Sequence, residues 1–313
     1  AAMPDPGVQI LLWVLAAQRV VEASGDLGFL KLRIKDVLFG ALDGLVRGRT
    51  VGARVEPDGL LALDGPDRFG PSPLAAGALA IEIEALWINA LLVGADIATR
   101  LGDEARAALW STRAAHAREA VPARFWLEDL GYLADSVTPA GPDTTLRPWQ
   151  IFAVGLPHCL LPADRSLRLL AAVERELLTP CGLRGAPAGA SNSRESAAWP
   201  FLMGLYCDAL VRLQGEEGKR RMREWLKGFG ACLDQGALHH VSELYEDGHP
   251  RRDLLRMGHH PDPQAGELVH HLLVVDHRPH GLHRAVLPRR LLQALEGPLD
   301  AEAEAGLLSL EDA

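Results

Sequence analysis

Val8-Gln9-Ile10-Leu11-Leu12-Trp13-Val14-Leu15 sets Val8, Leu11, Leu12 and Leu15 at i, i+3, i+4 and i+7. That is the spacing of one apolar face of an α-helix. Gly25 then supplies a stop, and Asp26 an N-cap for the next helix. The pattern returns after Asp164, where Leu170, Val173 and Leu177 form a stripe that Thr179-Pro180 ends. Read outward in this way, the chain holds about ten helical segments, at 6–23, 26–47, 79–100, 103–120, 145–160, 164–178, 196–214, 216–234, 262–275 and 288–296. They pair up around longer Gly/Pro-rich stretches at 51–78, 129–144, 180–195 and 236–261. Strand-like alternation is confined to Val51–Val55. Paired helices with long loops on one side predict an all-α, α/α-toroid fold whose loops form the site. One domain is expected over 1–298, followed by an acidic, Ala-rich tail at 299–313 that frays.

Composition narrows the function. The chain has 313 residues, 48 % hydrophobic and 23 % charged, enough to bury a sizeable core. Net charge is −9 and no Lys/Arg block is long enough to follow a phosphate backbone, which argues against nucleic acid. The short basic run Arg220–Arg223 reads as a solvated helix face. The apolar stretches are too short to span a bilayer, and no basic segment precedes the first of them, so neither membrane nor secretion is expected. Cys159, Cys181, Cys207 and Cys232 lack metal-ligand spacing. They read as four reduced thiols, which places the chain in the cytosol. The twelve histidines include three adjacent pairs but no recognised ligand spacing, so no metal and no cofactor is expected.

Two features point to chemistry. Ser242-Glu243-Leu244-Tyr245-Glu246-Asp247-Gly248 packs three carboxylates into seven residues after a helix and a Gly236 break. A loop carboxylate on a helical scaffold can act as a base or nucleophile, although most acidic loops are simply solvated. Seven of the seventeen aromatic residues are Trp, and several sit beside carboxylates, amides or Arg. Such pairings suit a polyol, with the ring on its C–H face and the polar groups on its hydroxyls. Trp13 and Trp110 read as core; Trp87, Trp126 and Trp199 stay open between core and sugar platform.

The order of short motifs resembles the C-terminal glucosidase domain of glycogen debranching enzymes. It runs from Glu22-Ala23-Ser24-Gly25-Asp26 through Asp58-Gly59-Leu60-Leu61, Glu82-Ile83, Ala85-Leu86-Trp87 and Asn89-Ala90-Leu91. It continues through Phe125-Trp126, Gly131-Tyr132-Leu133, Asp135, Arg147-Pro148 and Gln150 to Trp199-Pro200 and the Ser242-Glu243 loop. The resemblance implies a six-hairpin (α/α)6 toroid, here lacking the N-terminal hairpin. It also implies inverting hydrolysis of α-1,6-linked glucose at branch points of glycogen or another branched α-glucan. Glu243 corresponds to the general base. Glu82, Trp87, Asn89, Trp126, Asp135, Arg147, Gln150, Trp199, Asp247 and Gln264 correspond to substrate-binding positions. The family's acid motif, Thr-Trp-Met-Asp, is absent from the interval after Asp58-Gly59-Leu60-Leu61. Asp64 or Asp67 could stand in for it, yet Asp-Gly and Pro-Asp are turn chemistry. Arg194-Glu195-Ser196, Phe201, Gln264-Ala265-Gly266 and Trp149 also depart from the pattern. The expectation is therefore weak or lost hydrolysis, with two alternatives: a non-catalytic glucan-binding relative, or a fragment of a debranching enzyme.

Overall fold

The structure is a computed structural model that describes residues 6–64, 74–75, 77–189, 196–233, 244–246 and 249–250. The chain opens with α1 (Pro6–Ser24), α2 (Leu27–Phe29) and, after a π-helical turn over Leu30–Ile34, α3 (Lys35–Val46). Gly25 takes φ 64° and the Asp26 carboxylate accepts the Phe29 N–H at 2.8 Å, the stop and cap that the sequence predicts. Strands β1 (Ala53–Val55) and β2 (Leu61–Leu63) form a hairpin in the register Ala53↔Leu63. Then β3 (Leu79–Ala80) leads into the helical hairpin α4 (Ile81–Arg100) and α5 (Glu104–Phe125). Asp103 caps α5 by accepting the Arg106 N–H at 3.1 Å.

Four short strands follow: β4 (Trp126–Leu127), β5 (Tyr132–Leu133), β6 (Ser136–Thr138) and β7 (Gly141–Asp143). β4 pairs with β5, while β6 pairs with both β3 and β7. A 3-10 turn, Pro148–Ile151, runs into the single-turn α6 (Phe152–Gly155), and α7 (Ala163–Leu177) comes next. Among the described residues there follow β8 (Leu178–Thr179), β9 (Gly182–Arg184), β10 (Ala198–Trp199), α8 (Met203–Gln214), α9 (Glu216–Leu233), β11 (Tyr245–Glu246) and β12 (His249–Pro250). Strands β8 to β12 make one antiparallel sheet in sequence order.

Helix α4 is the axis of the packing. Every residue from Ile81 to Leu91 is buried, and the helix touches α1, α3, α5 and α6. A helix segment buried on every side belongs inside a domain. Helix α6 in turn meets α8, so α1, α4, α6 and α8 pass contacts along an inner arc, with α5, α7 and α9 outside. Gly155 allows the α6–α8 crossing, since a Cβ there would lie 2.5 Å from the Leu205 carbonyl oxygen. Arg212 of α8 caps the end of α6, donating to the carbonyls of Val154 at 2.9 Å and Leu156 at 2.8 Å. A cation there also meets the negative end of the helix dipole.

Three details differ from the sequence reading. The helix expected over 145–160 shrinks to the 3-10 turn and α6, because Leu156 precedes Pro157 and is driven to extended backbone at ψ 161°. The helix expected from 196 starts at Met203, behind β10 and a 3-10 turn that Pro200 opens. Among the described residues, twelve strands of two or three residues appear where one strand-like run was expected, since such short strands carry no readable alternation. The reading of four reduced thiols is corrected as well: Cys181 is disulfide-bonded, while Cys159 and Cys207 are free. Folding joins cysteines that sequence spacing keeps apart, so thiol spacing does not argue for a reducing compartment. The helices expected at 262–275 and 288–296 and the tail at 299–313 lie outside the described residues.

Candidate active site

A set of buried polar side chains gathers where α4 begins. Glu82, Glu84 and Asn89 of α4 are closed to solvent, with Asp135, Arg147 and Gln150 nearly so. Asp135 and Arg147 form an ion pair of 3.5 Å between side chains only 1 % and 10 % exposed. The Asp135 backbone bonds at both groups: its carbonyl accepts the Ile81 N–H at 3.2 Å, and its N–H donates to Asp143 at 2.9 Å. Gln150 donates to the Arg147 carbonyl at 3.0 Å and accepts the Leu133 N–H at 3.2 Å. These bonds tie the start of α4 to β5, β6 and the 3-10 turn. Burying this many charges is costly unless they are paired or serve a polar ligand.

Beside them lies an aromatic cluster. Trp149 meets Trp199 edge-on at 5.3 Å and stacks on Phe201 at 6.2 Å. Trp199 ends β10, which pairs with β11 through Ala198↔Tyr245. The strand that begins two residues after Glu243 therefore runs alongside the strand that carries Trp199. Tyr245 is buried against Ala198, Phe229 and the disulfide-bonded Cys181.

The comparisons with known proteins bear on this arrangement. The profile of the family described as amylo-alpha-1,6-glucosidase matches residues 7–253. The chain belongs to the amylo-alpha-1,6-glucosidase family. Membership makes it glycoside hydrolase-related. No curated protein sequence matches it. Among solved structures, a sialidase is similar at 12 % identity and TM-score 0.59, over 75 % of this chain and 24 % of that one. A GH78-family rhamnosidase of Bacillus sp. GL1 is similar at 17 % identity and TM-score 0.55, over 76 % of this chain and 23 % of that one. The chain thus spans about a quarter of the length of either structure. Together with the family match, these likenesses give the fold as an (α/α)6 toroid.

Within this amylo-alpha-1,6-glucosidase family domain, the residues expected at the site fall into distinct settings. Glu82, Asp135, Arg147 and Gln150 come together at the start of α4. Trp87 is buried, and its indole N–H donates to the Gly59 carbonyl at 3.0 Å. Asn89 bridges α4 to the 156–161 turn, donating to the carbonyls of Ala85 at 2.9 Å and His158 at 3.1 Å and accepting the His158 N–H at 2.9 Å. Trp126 lies apart on β4, its ring covered by the guanidinium groups of Arg165 and Arg168 at 5.0 and 5.3 Å and its N–H given to Glu128. Trp199 sits in the aromatic cluster. Asp64 is exposed at the end of β2, with its N–H donated to Gly52 at 2.8 Å. Glu243, Asp67, Asp247 and Gln264 lie outside the described residues.

The sequence reading passed over Glu84, a fully buried carboxyl of the site. Burial holds its pKa well above the ordinary carboxylate range; the bond from Leu61 opposes this, Asp58 and Glu82 add to it, and Arg124 works against it. A second carboxylate two residues from Glu82 in an otherwise apolar helix was the available signal. Among the described residues, no group of three or more His, Cys, Asp or Glu could hold a metal ion, and no helix is long and apolar enough to cross a membrane.

Proposed function

We propose that this domain acts on branched α-glucan, hydrolysing α-1,6-linked glucose with inversion, slowly. Glu243 deprotonates the attacking water, and a carboxyl of the segment after β2, Asp64 or Asp67, protonates the leaving oxygen. An inverting pair needs carboxyls about 6.5–9.5 Å apart to admit that water. The observation that carries the reading is the β10–β11 pairing, which brings the chain beside Glu243 to the Trp199 strand. The Glu82, Asp135 and Arg147 set supports it, because buried paired charges suit the hydroxyls of a sugar. Asp64 stands exposed, and this favours a second reading in which the domain binds glucan without cleaving it.

Substrates that differ in leaving group separate the readings. A missing acid costs about 10²–10⁴-fold where the leaving group needs a proton and little where it does not. Glucosyl fluoride should be turned over faster than a branched dextrin, and Glu243→Gln should abolish that turnover. Equal rates in wild type and Glu243→Gln would refute the role of Glu243. Brisk glucose release from a limit dextrin, lost on Asp64→Asn or Asp67→Asn, would replace slow hydrolysis with full activity and identify the acid. Saturable maltodextrin binding with no turnover of either substrate would establish the binding-only reading.

A further inference from the structure

Residues 27–46 form one rod, because α2, the π-helical turn and α3 follow each other without a break. Leu30, Ile34, Leu38, Leu42 and Leu45 are buried and mark its inward side. The outward side is unlike that of a solvated helix. Leu32 is 81 % exposed, Val37 60 % and Phe29 41 %. Arg33, Asp36 and Gly40 stand exposed among them. These positions recur every three or four residues, as one helix face does. Apolar side chains gathered on one exposed face mark a contact surface, where single scattered ones would not.

The strip is complementary to itself. In two antiparallel helices related by a two-fold axis, residues equally far from the axis on opposite sides face each other. With the axis between Ile34 and Lys35, Leu32 faces Val37, Arg33 faces Asp36 and Phe29 faces Gly40. The pairs match in kind: apolar on apolar, guanidinium on carboxylate, and a ring over a residue without a side chain. A Cβ on Gly40 would meet nothing within 4 Å, so the space above it is open to that ring. Sliding one helix by about a turn, in either direction, would set Arg33 on its own copy or Asp36 on its own copy. Charge therefore fixes the register. We infer that two copies of the chain associate through this face, antiparallel and two-fold, in that register. A second copy satisfies both charges of the strip. An anionic lipid surface or an acidic peptide would be repelled by Asp36, and a basic peptide by Arg33. A single helix pair falls short of the roughly 800 Å² per partner of a standard interface, so the dimer is weak and concentration-dependent.

Sedimentation velocity on the full chain, from about 1 μM to about 500 μM, tests this. Wild type should pass from monomer to dimer over that range. Leu32→Glu should stay monomeric, since each copy would then press a carboxylate against Val37. Arg33→Glu and Asp36→Arg each set like charges face to face at two symmetric places, and each should weaken the dimer by about 5- to 30-fold. The double exchange, Arg33→Glu with Asp36→Arg, restores opposite charges across the axis and should dimerise within about 3-fold of wild type. All three positions are exposed, so these variants should keep the thermal midpoint of wild type. A wild type that stays monomeric at the highest concentration overturns the inference, also where it sediments with phosphatidylserine vesicles, because a membrane would then be the occupant. A dimer that Leu32→Glu leaves intact overturns it too. So do single charge variants that dimerise like wild type, and a double exchange that fails to recover the dimer lost in the single ones.

Discussion

Replacing Asn89 with alanine should weaken the seam between α4 and the turn that precedes α7. Asn89 is fully buried, and its amide meets both polar groups of the His158 backbone, accepting the N–H at 2.9 Å and donating to the carbonyl at 3.1 Å. Alanine leaves those two groups without their partner. Each orphaned group costs about 1–3 kcal/mol when buried, and His158 is only half-buried, so the low end applies to each. The lost side chain adds a small cavity term, for a total of about 2–4 kcal/mol. For a domain of this size that is roughly a 5–15 °C drop in Tm, measurable by calorimetry and by the urea midpoint at unchanged m. Asn89→Asp tests the hydrogen-bond argument separately. The introduced carboxylate would face the Ala85 and His158 carbonyl oxygens, so its pKa in the folded state rises. A folded-state pKa raised above the unfolded value of about 3.9 means that stability is present below that value and is lost as pH rises. Asn89→Asp should therefore be closest to wild type in mild acid and fall behind it toward neutral pH. A Tm for Asn89→Ala within about 1 °C of wild type would refute the reasoning, as would an Asn89→Asp difference flat in pH.

Glu84 makes a related prediction with its own sign. Its folded pKa is raised by burial, so its stabilising effect is full below the unfolded value of about 4.3 and declines as pH rises above it. Urea midpoints of Glu84→Gln should lose that part of the pH slope and exceed wild type at neutral pH; parallel slopes would refute it. Gly155→Ala should cost about 1–3 kcal/mol, because the added Cβ meets the Leu205 backbone at 2.5 Å and α6 must draw away from α8. A thermal midpoint unchanged by that substitution would show the crossing to be looser than drawn.

Much of the fold was legible because helical periodicity survives without context. The Val8–Leu15 stripe, the Asp26 cap and the helix over 79–100 follow from side-chain spacing alone. What local patterns miss is written in pairs of distant residues. The pairing of β10 with β11 joins Ala198 to Tyr245, and neither dipeptide looks like a strand. The Cys181 disulfide was hidden for the same reason. At the site, motif order singled out Glu82, Asp135, Arg147 and Gln150, and the structure shows all four buried. Motif order could not see that the Asn89 amide and the Trp87 N–H are engaged with the scaffold, or that two arginines cover the Trp126 ring. Those are facts of neighbouring atoms, which a residue type does not carry. Glu84 was overlooked because a carboxylate inside an apolar helix reveals its burial only once β2 is seen against it.

The Leu63 carbonyl accepts the Gly77 N–H at 3.3 Å and Asp64 donates its N–H to Gly52 at 2.8 Å, so the residues that flank the 65–76 stretch are fastened to one hairpin, with an evolutionary consequence. The distance its ends must span is set by Leu63, Gly77 and Gly52, not by anything in between. Doubling the length of such an excursion costs only about 0.6 kcal/mol in closure entropy. Descendants of one ancestor can therefore lengthen, shorten or rewrite this stretch while the helices keep their packing. Grafting a longer excursion between Asp64 and Gly77 should therefore leave the thermal midpoint nearly unchanged.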